Sequence, residues 1–346
     1  MINKKDIRAV EKNELESFFM NHKSPQYRAT QVIEWIWKHH QLDFNKMLNL
    51  SKSERELLKE NFIVKSVYIS NTTISSDGTV KFLFKMDNAN VVEGVLIPQL
   101  NRLTVCISSQ AGCSLACNFC ATGKLKLDRN LTAGEIYDQV FLINQYALSR
   151  YNKAITNIVY MGMGEPLLNF HNVIMSIKHI TSARGMALSG KRITVSTVGI
   201  TKMIKKIADL EPNFNLAISL HSAIDKKRSK IMAINETNNL SNLELALKYF
   251  YDKTKIKPTY EYVMLKDFND SIEDAQALVE FCKKIPSKVN LIEYNKVEGI
   301  KYQKSTIKKT NIFLEMLEKN NILAKLRRSR GEDIGAACGQ LATQNK

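Results

Sequence analysis

The run Leu103-Thr-Val-Cys-Ile-Ser108 and, shortly after it, Cys113-Ser-Leu-Ala-Cys117-Asn-Phe-Cys120 set a short apolar segment of strand character before a loop with three cysteines at CxxxCxxC spacing. Thiolates so placed converge on one soft metal centre, because a compact loop aims three sulfurs inward with little strain. Three ligands leave one iron of a cubane cluster open to an outside ligand, much as a catalytic zinc keeps a free position. A structural zinc is the competing reading, and chance is another. Zinc needs a fourth ligand, and with no histidine between His40 and His171 only Cys106 is near.

Outward from that loop, β-rich runs alternate with helical segments. Candidate strands are Leu103 to Ser108, Ile155 to Tyr160, Arg192 to Thr197, Asn215 to Leu220, Thr259 to Leu265 and Lys288 to Tyr294. Thr132 with Glu135, and Ser241 with Glu244, have the spacing of capping boxes at helix starts. Six βα units imply a parallel sheet covered on both faces, either doubly wound or curled into a barrel. Functional residues are then expected just after the carboxyl ends of the strands.

Toward the amino terminus, apolar residues at three- and four-residue spacing predict helices over Ile7 to Phe19, Tyr27 to Trp37 and Lys52 to Phe62, the last started by Ser51 and Ser53 with Glu54 and Glu56. Between Ile63 and Pro98 the period becomes two, and the Asp77-Gly78 turn before Thr79-Val-Lys-Phe-Leu-Phe-Lys85 predicts a small hairpin. Trp35 and Trp37 are read as core residues. From Lys296 to Arg330 the chain carries ten Lys or Arg against three Glu, ending in Arg327-Arg-Ser-Arg330, which suits phosphate. The expected division is a helical accessory domain (1–62), a β-hairpin extension (63–98), a core (99–300) and a basic carboxyl-terminal extension (301–346).

The 346 residues carry 50 Lys and Arg against 34 Asp and Glu, a net +16 that points to an acidic partner, most often nucleic acid, with solubility as the plainer account. Six cysteines are too few for a disulfide-stapled scaffold. Nine of the 14 glycines lie from Gly94 to Gly199, around the cysteine loop. No membrane-length apolar run and no signal peptide are visible, so a cytoplasmic protein is expected.

The cysteine loop, with Phe119 before its last cysteine, resembles the radical S-adenosylmethionine superfamily. So does the glycine–glutamate turn Met161-Gly-Met-Gly-Glu165-Pro after the second strand. Cys106-Ile-Ser-Ser-Gln-Ala-Gly-Cys113, Met161 to Asn169, Ser219-Leu-His-Ser222 and Ala336-Ala-Cys-Gly-Gln-Leu341 resemble, in that order, the adenosine-carbon-2 RNA methyltransferase family, RlmN. The resemblance runs over nearly the whole chain. It implies a partial (βα)6 TIM-like barrel, one 4Fe-4S cluster on Cys113, Cys117 and Cys120, and two molecules of S-adenosylmethionine per turnover. Its contacts would be Gly164, Glu165, Ser196, Ser219, Leu220, His221 and Asn295, with Glu165 accepting hydrogen bonds from the ammonium group. Cys338 resembles the methyl carrier, Cys106 the partner in a transient disulfide, and Glu93, in Val91-Val-Glu-Gly-Val-Leu-Ile-Pro98, the proton acceptor; an ordinary exposed glutamate is the alternative there. Cys282 is read as packing. Implied partners are 23S rRNA, tRNA and an external electron donor such as flavodoxin, with the enzyme a monomer.

Carbon 2 of adenine is flanked by two ring nitrogens and is too electron-poor to attack a sulfonium methyl, so a radical route through a sulfur-borne carbon is expected. Arg327, Arg328 and Arg330 are expected to favour the Cys338 thiolate. The chain departs from the family pattern at Lys126-Leu127, where relatives show Gly-Phe, and at Lys296-Val-Glu-Gly299, where they show Pro-Phe-Pro-Gly. A sister group methylates carbon 8 of the same adenosine. Its turn continues with Ala where this chain has Pro166-Leu-Leu-Asn169, which favours carbon 2. A metal-bearing RNA-binding protein without catalysis is the alternative from a different class.

Overall fold

Strand order follows chain order throughout the main sheet, and this decides between the two architectures the sequence allows. The computed structural model describes residues 4–87 and 90–342. Three helices come first: α1 (Lys12–Asn21), α2 (Tyr27–Trp37) and α3 (Lys52–Asn61). The capping box of α3 is made, Ser51 Oγ accepting from Glu54 N at 3.2 Å and Glu54 Oε2 from Ser51 N at 2.8 Å. The first helix starts later than its apolar spacing suggests, because Ile7–Ala9 forms a separate 3₁₀ turn capped by the Asp6 carboxylate.

Strands β1 (Val67–Ile74), β2 (Val80–Met86) and β3 (Val91–Gln99) form an antiparallel meander, so the predicted hairpin gains a third strand. β3 then pairs antiparallel with β4 (Arg102–Cys106), which makes the meander continuous with the core sheet. From β4 onward all pairing is parallel, through β5 (Asn157–Tyr160), β6 (Ile193–Thr197), β7 (Asn215–Ser219), β8 (Thr259–Met264), β9 (Lys288–Glu293) and β10 (Leu323–Arg327). Helices fill the crossovers: α4 (Ala133–Tyr151), α5 (Phe170–Thr181), α6 (Thr201–Asp209), α7 (Asp225–Ile231) with α8 (Leu240–Thr254), α9 (Ile272–Lys283) and α10 (Ile307–Lys319).

Right-handed crossovers between strands that never reverse order put every helix on the same face of the sheet. A doubly wound sheet needs a reversal, so the sheet curls instead into an open barrel whose concave face is free of helices. The six predicted βα strands stand within two residues of their expected ends. β10 is a seventh parallel strand inside the basic segment. Thr132 and Glu135 cap α4 reciprocally. The Ser241–Glu244 box is not made: α8 starts one residue earlier, with Asn239 Oδ1 accepting from Asn242 N at 2.9 Å.

The core is continuous from the accessory helices to α10. Trp37 is buried, stacked on His179 at 3.6 Å, while Trp35 is half-buried. Cys282 is buried in the core, as expected. Among the described residues no helix is long and apolar enough to cross a membrane.

Candidate active site

A second, smaller apolar group of Val198, Ile231, Met232, Val263, Leu265 and Tyr294 sits over the carboxyl ends of the strands, and Leu115, Cys117 and Phe119 pack against it. The cysteine loop is thereby seated by its own apolar residues. Asn118 fastens it to the end of α7, its backbone N donating to Ile231 O at 3.0 Å and its side chain to Lys230 O at 2.7 Å. Phe119 meets the His221 ring edge-on at 4.7 Å. Gly112 is required where it stands: its φ is +80°, and a Cβ there would lie 2.0 Å from Lys126 O.

Cys113, Cys117 and Cys120 line one cavity of about 160 Å³ together with Gly164, Glu165, Ser196, Ser219, His221 and Cys338. Burial pushes the Cys113 and Cys117 thiols up, and the neighbouring loop thiols push them further. Two sulfurs raised in this way become thiolates only beside a strong positive charge, which is what a metal centre supplies. Cys106 does not complete a zinc site: it lies on β4 beside Val159, and the thiol it faces is Cys338. Three thiols from one short loop, with Cys106 turned away from them, fit a cluster with one open iron.

The residues expected around S-adenosylmethionine also suit it. Gly164 has φ +92°, and a Cβ there would meet Gln110 Cβ at 2.4 Å, so only glycine lets this turn close over the cavity. Glu165 is buried, its two carboxylate oxygens accepting from Leu167 N and Val198 N, both at 3.0 Å, and burial lifts it to about 7. The Thr197 hydroxyl also donates to this carboxylate, and the acceptor capacity that remains suits an ammonium group. Asn295 is buried with Nδ2 on Cys338 O at 3.3 Å, and its Oδ1 has no partner among the described residues, a polar atom that waits for a donor. His221 is held neutral, burial driving it down to about 3, and its Nδ1 accepts from Val263 N. Leu220 is the correction. Its side chain is fully buried in the core, its N–H donates to Glu261 O and its carbonyl accepts from Arg228, so it brings nothing to the cavity.

Cys338 is exposed and lines both cavities. Burial raises its thiol and Arg327 opposes that rise. The net direction is upward, so the arginines moderate the effect of burial without overcoming it. Of the three, Arg327 does this, paired with Glu261 at 3.3 Å; Arg330 faces Asp77 at 3.9 Å. Cys106 and Cys338 are both free and line a second cavity of about 700 Å³, and burial with the nearby Cys338 sulfur lifts Cys106 to about 12.

Glu93 is not an exposed glutamate. It is buried on β3, with Oε1 3.3 Å from Lys81 Nζ and Oε2 accepting from Ala342 N at 2.9 Å, beneath the segment that carries Cys338. Two further groups went unpredicted. Glu261, a carboxylate alternating with apolar residues along β8, is buried against Asn290 and Arg327 between the two cavities. Arg228 is wholly buried, donating to Leu220 O, Val198 O and Asn235 Oδ1, and so ties the loops after β6 and β7 to the turn between α7 and α8. The charge inside an apolar strand was a visible signal for Glu261, whereas Arg228 lies in a run of lysines that resembles a solvated helix face. Of the two departures from the family pattern, the Lys296–Gly299 stretch is tied to the loop after the cysteines, Lys124 Nζ donating to Glu298 O at 2.6 Å.

Residues 5–64 match the model for the ribosomal RNA large subunit methyltransferase N-terminal domain, and residues 107–282 match the radical SAM superfamily. The chain is 51% identical to a probable dual-specificity RNA methyltransferase RlmN of Christiangramia forsetii, over 99% of this chain and 97% of that one. The chain belongs to the RlmN family. It is 40% identical to the dual-specificity RNA methyltransferase RlmN of Ruthia magnifica, over 99% of this chain and 96% of the other. Among solved structures, a radical SAM methyltransferase from Sphaerobacter thermophilus superposes with a TM-score of 0.90 at 34% identity, covering 97% of this chain and 99% of its own. Membership in the RlmN family makes this chain a radical S-adenosylmethionine-dependent RNA methyltransferase with a 4Fe-4S cluster.

Proposed function

We propose that this enzyme methylates carbon 2 of an adenosine near the peptidyl transferase centre of 23S rRNA and of the adenosine 3′ to the anticodon in tRNA. It would act in the cytoplasm as a monomer. The observation that carries the reading is the meeting of two free thiols from distant parts of the chain, Cys106 and Cys338, in one cavity with Cys120 and Arg327. Cys338, favoured as thiolate by Arg327, attacks the methyl group of S-adenosylmethionine; a sulfur–carbon bond forms and S-adenosylhomocysteine leaves. Cys113, Cys117 and Cys120 hold the cluster, and Gly164, Glu165, Ser196, Ser219, His221 and Asn295 hold a second S-adenosylmethionine. Together, with one electron from an external donor such as flavodoxin, these groups supply hydrogen abstraction from an unactivated C–H bond.

Once the carbon links Cys338 to the ring, Glu93 accepts the ring proton, and the odd electron left on the ring would pass to a one-electron acceptor, a role open to the oxidised cluster that Cys113, Cys117 and Cys120 would hold. Its Oε1 lies 3.3 Å from Lys81 Nζ and its Oε2 accepts from Ala342 N, so both oxygens are fixed beside the segment that carries Cys338. Cys106 then loses its proton and attacks the Cys338 sulfur. An S–S bond forms, the S–C bond breaks with its electron pair going to carbon, and that carbon takes a proton to become the methyl group. The disulfide needs two electrons from an outside reductant before the next turn. Nucleoside analysis after anaerobic turnover on RNA is expected to give 2-methyladenosine, and 8-methyladenosine alone overturns the reading. Peptide mass spectrometry is expected to find one extra methyl on a fraction of Cys338; a cluster-replete preparation exposed to S-adenosylmethionine that shows none removes the carrier role.

A further inference from the structure

In a closed eight-stranded barrel the inward side chains are bulky and branched and fill the interior. Here several inward positions near the amino ends of the strands are small or polar, Thr104, Asn157, Thr194, Thr259 and Asn290, with Val159, Met161 and Ile292 further along, and together they line the open 700 Å³ cavity. One end holds Cys106 and Cys338. The other, at the amino ends of the strands, is ringed by Gln99, Arg102, Lys288 and Lys325. The three cations are exposed, and unlike Arg327 and Arg330 none has a carboxylate partner among the described residues. Arg102 donates to Gln99 Oε1 at 2.7 Å, which turns its guanidinium along the rim. From Arg102 to Cys106 is four residues of strand, roughly 13 Å at about 3.3 Å per residue, a depth that one nucleotide and its flanking phosphate fill.

We propose that Arg102, Lys288 and Lys325 form a phosphodiester subsite for the single RNA strand that carries the target adenosine, so that the base passes through the barrel to Cys338 while its backbone stays at the far mouth. This rests on the RNA methyltransferase reading. Unpaired cations converging at the mouth of a polar channel match a polyanion whose bases are unstacked.

The test is fluorescence anisotropy with a labelled RNA hairpin whose loop holds unpaired adenosines. R102Q/K288Q/K325Q is expected to bind at least ~10-fold more weakly at 0.1 M salt, with a log–log salt slope shallower by about two. K202Q/K205Q/K248Q, which removes the same charge from α6 and α8 outside the barrel, is expected to stay near wild type. Cys338 methyl occupancy, read by peptide mass spectrometry, reports whether the rest of the site is assembled. Wild-type affinity and slope in the first variant, or equal weakening in the second, overturns the subsite. If the triple variant loses Cys338 methylation, R102Q alone decides, with roughly a threefold weakening expected and an unchanged affinity counting against the proposal. A wild-type enzyme that binds no hairpin removes the RNA reading itself.

Discussion

The accessory helices and the carboxyl-terminal segment are both attached to the outside of the barrel, and they are attached in opposite ways. On the amino-terminal side Arg8, almost wholly buried, pairs at 2.7 Å with Asp138 of α4, and His40 shares the same carboxylate oxygen at 2.9 Å. His179 stacks on Trp37, and the Tyr137 hydroxyl donates to Trp37 O. On the carboxyl-terminal side the polar fastenings are hydrogen bonds spread along the segment, Ala121 N to Gly339 O at 2.7 Å, Thr122 Oγ1 to Leu341 O at 2.5 Å, Gly331 N to Asp77 Oδ2 at 3.0 Å, and Ser75 and Ser76 to the exposed Asp333 carboxylate, with Ala336 and Leu341 tucked into the core. A buried ion pair is costly to break singly, whereas separable hydrogen bonds open a few at a time. One attachment belongs to the frame. The other is a strap that carries Cys338 and can give way locally.

The sharpest way to break this contrast is Asp138→Ala, which takes from buried Arg8 its 2.7 Å carboxylate and leaves it only the longer contact to Asp6 at 3.8 Å. A loss of about 3–5 kcal/mol in chemical denaturation is expected, and a loss below 1 kcal/mol would show that the frame is held elsewhere. His179→Gln tests the same side through pH. Burial, with smaller contributions from Lys178 and Arg8, depresses His179 to about 4. The stability it confers is present above the unfolded value near 6.5 and is lost as pH falls through 4. Wild-type stability should therefore decline between pH 6.5 and 4, with His221 adding to the decline, and His179→Gln should flatten it by on the order of 2 kcal/mol. An unchanged slope contradicts the assignment. The smallest effect belongs to the strap: Asp333→Ala should leave the midpoint of chemical denaturation near that of wild type, while amide exchange over residues 331–342 rises. Global destabilisation equal to that of Asp138→Ala would erase the difference between the two attachments.

Much of this was legible in the sequence where the pattern is local. The six βα strands are short apolar runs bounded by polar residues, and Thr132 with Glu135 states its capping geometry outright. The cysteine spacing placed the loop, and the rule of strand ends placed Gly164, Glu165, Ser196 and Ser219 around it. Other features depend on partners far away in the chain. β10, Leu-Ala-Lys-Leu-Arg, is an edge strand whose cations hide its alternation. Ser241 lost the cap of α8 because Asn239 reached Asn242 N first. Glu93 looked like a surface residue because its two partners, Lys81 and Ala342, are visible only in three dimensions.

The strap's contacts join residues separated by 219 positions for Thr122 with Leu341, 249 for Glu93 with Ala342 and 254 for Asp77 with Gly331. Closing so long a loop is entropically repaid only once the intervening barrel exists, so these are the last bonds to form as the chain leaves the ribosome. The cysteine loop, whose own turns close between Cys117 and Gly123, is finished long before. Maturation thus has an order written into its topology: three metal-binding thiols stand ready and reachable, and the fourth thiol, the one that must never be consumed as a ligand, arrives after them.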